Sequence, residues 1–234
     1  MTRVAIMQPT YLPWLGYFGL MKSVDLFILL DSVQFARRSW QQRNQIKTAN
    51  GPIWLTVPVL SKGKRDQLIT EVEIDRSRDF PQSHQTALEA NYKNAPYFDA
   101  HAPQLLSLLG ADNRHLADLT IGVILSLRDA LGITTPIRRS SEFEGVGAKA
   151  ELLASLCDRV GATEYISPPG SKDYLDESDA FARRGMPLHY FNFTHPEYSQ
   201  RFGDFLPHMS VIDLLFNCGP ESLSLIEKGC EVSP

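Results

Sequence analysis

Two hydrophobic rhythms alternate along this chain. Residues 3–7 and 25–31 are apolar runs without alternation, which predicts strands buried on both faces, and residues 15–23 between them predict a short helix. Residues 53–59 and 68–74 alternate apolar with polar and predict a hairpin or meander across the polar loop 61–67. From about 80 to 131 apolar residues recur at i, i+3, i+4 and i+7, which predicts helices, the last closed by Gly132. Strand and helix then alternate again: a strand and loop over 135–143, a helix over 149–161 and a strand over 163–167. A loop and helix over 171–185, a strand over 187–193 and helices over 209–219 and 220–229 complete the chain.

A strand–helix beat of this kind implies parallel pairing, because parallel strands need crossover connections. The expected fold class is α/β: a mainly parallel sheet flanked by helices, Rossmann-like or nucleotidyltransferase-like, with an inserted helical segment. Three parts are expected within one compact unit: 1–78, a helical 79–132, and 133–234 with the terminal helices. Strands 3–7 and 25–30 should be parallel neighbours, with 164–167 and 187–191 in the same sheet.

With 234 residues, 43% hydrophobic and 21% charged, the chain can bury a proper core and is not disordered. A net charge of −4 argues against a protein that coats nucleic acid. No apolar stretch reaches the roughly 18 residues of a membrane span, and no signal-peptide pattern opens the chain, so no membrane is expected and the cytoplasm is the natural compartment. Three cysteines without C-x-x-C spacing suggest neither a disulfide framework nor a zinc site. The six histidines form no metal-ligand pair, and neither a metal nor a cofactor is expected.

Three stretches carry candidate chemistry. In open α/β sheets ligands bind outside the carboxyl ends of the strands. "QPTYLPWLGYF" (8–18) follows the first strand: Pro9 and Pro13 stiffen it, Gln8 offers donor and acceptor, and Tyr11, Trp14 and Tyr17 offer flat faces with polar tips. The aromatics either wall a ligand or cap the core. "LDSVQFARRSWQQRNQIKTANG" (30–51) reads as a long loop that begins with Asp31 at a strand end. It gathers Arg37, Arg38, Arg43 and Lys47 around Gln34, Trp40 and Asn44, four cations within eleven residues, an anion-site pattern because guanidinium groups bind phosphate in bidentate fashion. "YISPPGSKDYL" (165–175) ends a strand before a helix start; Ser171, Lys172 and Tyr174 would form the opposite wall, although Ser171 or Asp173 also suits a plain N-cap. Asp31 and His84 are the candidate acid or base, followed by His195.

These stretches, with "YKNAPYF" (92–98) and "HMSVIDLLFNCG" (208–219), make the chain resemble the bacterial WbqC-like family. The resemblance implies a setting among surface-polysaccharide and nucleotide-sugar functions, and an enzyme that transfers a glycyl or similar acyl group to a sugar amine. It supplies no catalytic set. Under that reading the partners are a nucleotide-linked sugar and an activated amino acid or aminoacyl donor, aminoacyl-tRNA included. The rival is a non-catalytic module that binds a nucleotide or aminoacyl donor. A fainter likeness to nucleotidyltransferases with an H-x-G-H signature lacks those histidines, so a degenerate adenylyl-forming enzyme is a further alternative.

Overall fold

The computed structural model describes residues 1–233, with Pro169 described only in its backbone. Strands β1 (Arg3–Met7), β2 (Leu26–Leu29), β5 (Ile137–Arg139), β6 (Glu164–Ser167), β7 (Leu188–Phe193) and β8 (Cys230–Ser233) form one sheet in the order β5-β2-β1-β6-β7-β8. All neighbours are parallel except β7 and β8. Chain order therefore runs outward from β1 in both directions, the pattern of a doubly wound sheet that reverses between β1 and β6.

Both faces of this sheet are covered, which explains the unbroken apolar runs. Ala5, Phe27, Leu29, Ile166 and Phe191 pack into one cluster with α1 (Leu15–Lys22), α7 (Val211–Cys218) and α8 (Ser222–Lys228). Val4, Ile6, Ile28, Tyr165 and Tyr190, the intervening positions, pack into a second cluster with α5 (Ala150–Arg159). Successive side chains of a strand point to opposite faces, so an internal strand covered twice cannot alternate.

Between β2 and β5 the chain leaves the sheet. It forms a separate antiparallel hairpin of β3 (Arg43–Thr48) and β4 (Gly51–Thr56), then helices α2 (Phe80–Tyr92), α3 (Phe98–Gly110) and α4 (Leu116–Ala130). Among the described residues no helix is long and apolar enough to cross a membrane.

Three expectations require correction. The stretch 30–51 is not one long loop, because its second half is β3. Residues 53–56 belong to β4 and pair with β3 rather than with 68–74, which holds a short 3-10 turn and meets the end of 53–59 at the Val59–Ile74 bridge. The local signal is Asn50-Gly51, where the turn Ala49-Asn50 ends and Gly51 opens β4 at φ +97°, but polar residues in β3 hide its strand pattern. No strand is expected at β8, which is too short and mixed to stand out and is held at the sheet edge by pairing with β7. Downstream of β6 the expected helix shrinks to α6 (Lys172–Asp176).

Candidate functional site

The sheet reversal opens a crevice of about 370 Å³ over the carboxyl ends of β1 and β6. Gln8 and Thr10 enter it from the segment after β1, Trp40 and Gln41 from the segment after β2, and Ser171 and Tyr174 from the segment after β6. Gln41 fixes this wall: its Nε2 donates to Gln8 Oε1 at 2.7 Å, and its Oε1 accepts from the Ala36 N–H at 3.0 Å. The Tyr11 N–H donates to the Trp40 carbonyl at 2.9 Å, so the loop that carries Trp40 is tied to the segment after β1.

A second, mostly apolar compartment of about 320 Å³ adjoins the first, lined by Met7, Thr10, Trp14, Tyr17, Trp40 and His208. Met7, Thr10 and Trp40 belong to both. Trp14 stands immediately before α1 and lies across its first turn: a Cβ built on Gly16 would meet the indole ring at 2.2 Å. Only glycine permits so close an approach. Burial pushes the Tyr17 hydroxyl well above its ordinary value, and it donates to the Gln8 carbonyl at 3.3 Å.

Of the residues expected from sequence, Gln8, Trp40, Ser171 and Tyr174 share the crevice, and Trp14 lines the adjoining compartment. The basic cluster does not join them. Arg37 and Arg38 line a different, open cleft of about 610 Å³ together with Arg78, Asp75 and Asp79. Arg43 lies on β3 with its guanidinium 4.3 Å from the Trp54 ring centre. Lys47, 2% exposed, donates to Gln200 Oε1 at 3.1 Å and to the Asp204 carbonyl. Asn44 is buried and ties β3 to the Leu12 carbonyl, while Gln34 is exposed and donates to the Arg65 carbonyl at 2.9 Å. Lys172 lies 5.1 Å from the Tyr190 ring centre, and Pro9 is buried beside Gln8.

The two candidate acid–base groups are also held elsewhere. Asp31 is fully buried, accepting from Arg139 Nε at 2.6 Å, Ser140 Oγ at 3.1 Å, the Ser141 N–H at 2.9 Å and Ser141 Oγ at 2.9 Å. Four donors occupy both carboxylate oxygens, so the group anchors β5 to β2. His84 is buried with Nδ1 2.8 Å from the Tyr11 hydroxyl. Burial holds its imidazole down at about 4, neutral at ordinary pH. Tyr11, fully buried, turns toward His84 and away from the crevice wall.

Sequence reasoning offered Tyr17 as a wall residue beside Trp14, and missed Thr10, Gln41 and His208 as wall residues, as well as the buried polar node around Asp213. Tyr92 and Tyr198 each donate a hydroxyl to Asp213 at 2.8 Å, and burial raises the Asp213 carboxyl above its ordinary value despite those bonds. Thr10 lies inside the quoted "QPTYLPWLGYF" and Gln41 inside "WQQRN", so those stretches are informative although these two residues carry no signal of their own. His208 is 41 residues past β6 in the chain, beyond the reach of local pattern.

The uncharacterized protein Rv1507c of Mycobacterium tuberculosis is 39% identical over 224 residues, covering 95% of this chain and 96% of that protein. No solved structure matches. The model of the WbqC-like protein family matches residues 8–225, from Gln8 in the crevice wall into α8, and the chain belongs to that family.

Proposed function

We propose that the protein binds a nucleotide-linked amino sugar in the crevice at the β1–β6 reversal and takes part in transferring a glycyl or similar acyl group to the sugar amine. The observation that carries this reading is the crevice itself: open α/β sheets bind ligands where the strand order reverses, and here Gln8, Ser171 and Tyr174 meet there. Amide and hydroxyl groups of this kind suit the many hydroxyls of a sugar. In the transfer the sugar amine attacks the activated acyl carbon, the new C–N bond replaces the bond to the donor's leaving group, and the amine loses one proton. Tyr174 lines the polar crevice, and Tyr17 and His208 line the adjoining compartment.

A second reading is favoured by one feature of the lining. Among the described residues none of those lining the polar crevice is a carboxylate or an imidazole, which suits a module that presents the nucleotide sugar to a partner enzyme. Mass spectrometry of a dTDP-4-amino sugar incubated with the purified protein and activated glycine separates the two. A mass gain of one glycyl group supports transfer; binding by calorimetry without turnover supports the module; neither heat nor product removes both.

A further inference from the structure

A doubly wound sheet commonly places a phosphate at the start of the helix after β1, where free N–H groups face the ligand. Here the indole of Trp14 covers that position, packed on Gly16 too closely for even a methyl group between them. Trp14 makes no side-chain cap on α1, so the ring's place there is set by packing against Phe193 and His195, each 5.3 Å away between ring centres. What adjoins the ring is the apolar compartment, with Trp40, Tyr17 and Met7 as its other walls.

The same compartment holds one unmatched polar group. Thr10 lines it, and its hydroxyl is buried without a hydrogen-bond partner among the described residues. Buried hydroxyls are normally paired, so an orphan beside a cavity marks a position for an external partner. A rotation of χ1 between staggered wells carries the hydroxyl from one side of the Thr10 side chain to the other.

The geometry points to this compartment as the pocket for the heterocyclic base of the nucleotide, stacked among Trp14 and Trp40, with Thr10 hydrogen-bonded to the base edge. The inference rests on the proposed nucleotide-sugar reading and divides that site: the base goes beneath the indoles, the sugar into the polar crevice beside Gln8, Ser171 and Tyr174. Flat apolar walls with one polar group suit a base better than a phosphate or a sugar, since every base offers a π face and an edge of donors and acceptors.

Two of the chain's three tryptophans line the compartment, so their emission reports its occupation. In a Trp54→Phe background, uridine or thymidine monophosphate is expected to quench the remaining emission saturably, whereas ribose 5-phosphate leaves it unchanged. Thr10→Val should weaken the monophosphate by about fivefold, the loss of one neutral hydrogen bond, and Thr10→Ser should restore it. Circular dichroism of each variant confirms the fold. Calorimetry with the intact nucleotide-linked sugar separates the two levels of the proposal. If that sugar binds while the monophosphate neither quenches nor responds to Thr10→Val, the base pocket is overturned and the crevice reading survives. If the nucleotide-linked sugar gives neither heat nor quenching, both fall.

Discussion

Arg139 Nε donates to Asp31 Oδ2 at 2.6 Å, joining the end of β5 to the end of β2 although 108 residues separate the two. Asp31 is fully buried, and the pair sits among Ser140 and Ser141, which add three further bonds to the same carboxylate. Removing one partner of such a pair leaves an uncompensated charge and orphaned donors. Asp31→Ala should cost about 3 kcal/mol of stability. Urea denaturation reads this directly. A variant of wild-type stability that loses only turnover would return Asp31 to the catalytic candidates.

The Tyr11–His84 pair makes stability depend on pH. Burial lowers His84 from an ordinary 6.5 to about 4. Between these values the unfolded chain binds more protons than the folded one, so stability is full above about 6.5 and falls as pH drops toward 4. The loss is on the order of 3 kcal/mol for His84. His195, lowered to about 4 by burial and by His208, acts in the same direction. Thermal melts from pH 7.5 to 4 should therefore show a smaller decline in His84→Gln than in the wild type. Parallel curves would show that His84 titrates normally.

Lys47 and Asp213 belong to one buried polar node that fastens the segment after β7. Lys47 reaches Gln200 and the Asp204 carbonyl, and Gln200 Nε2 donates to the Tyr198 hydroxyl at 3.1 Å, which in turn donates to Asp213. Asp213→Ala leaves the hydroxyls of Tyr92 and Tyr198 without their acceptor and removes the carboxylate at the centre of the node. Limited proteolysis should then cut within 194–209 at protease doses that spare the wild type, with about 3 kcal/mol lost overall. Equal resistance in both proteins would mean that this node does not hold the segment.

Arg43 is the cation that sequence reasoning places on the phosphates, yet its guanidinium lies on Trp54. Arg43→Ala should therefore change affinity for a nucleotide-linked sugar less than about twofold, because a side chain outside the site contributes no direct bond to the ligand. Gln8→Ala removes a wall group that is tied to Gln41, and it should weaken binding about tenfold, within the cost of a lost polar contact plus an orphaned partner. Calorimetry on the two variants ranks them. The reverse ranking would move the ligand to the β3–β4 hairpin.

The sequence alone determined five of the six strands of the sheet, β8 excepted, and most of the helices that cover it. Their signals are local: Val4–Met7 and Leu26–Leu29 are unbroken apolar runs because both faces are covered, and a strand covered twice must be apolar throughout. It also determined that the segment after β1 matters, since Gln8 follows the strand directly and strand ends in such sheets border the ligand crevice. Only the tertiary structure decided which side chains gather there. Arg43 and Lys47 lie on the same face of β3, four residues apart, and pattern cannot tell them apart. Packing does: Trp54, the diagonal neighbour across the hairpin, receives Arg43, while the segment 198–206 closes over Lys47 and takes its charge inside. Asp31 likewise reads as a free carboxylate at a strand end until β5 arrives beside β2 with Arg139, Ser140 and Ser141. Periodicity reports which face of an element is buried, whereas the partner of a charge is set by pairings between segments a hundred residues apart, and those leave no trace in local spacing.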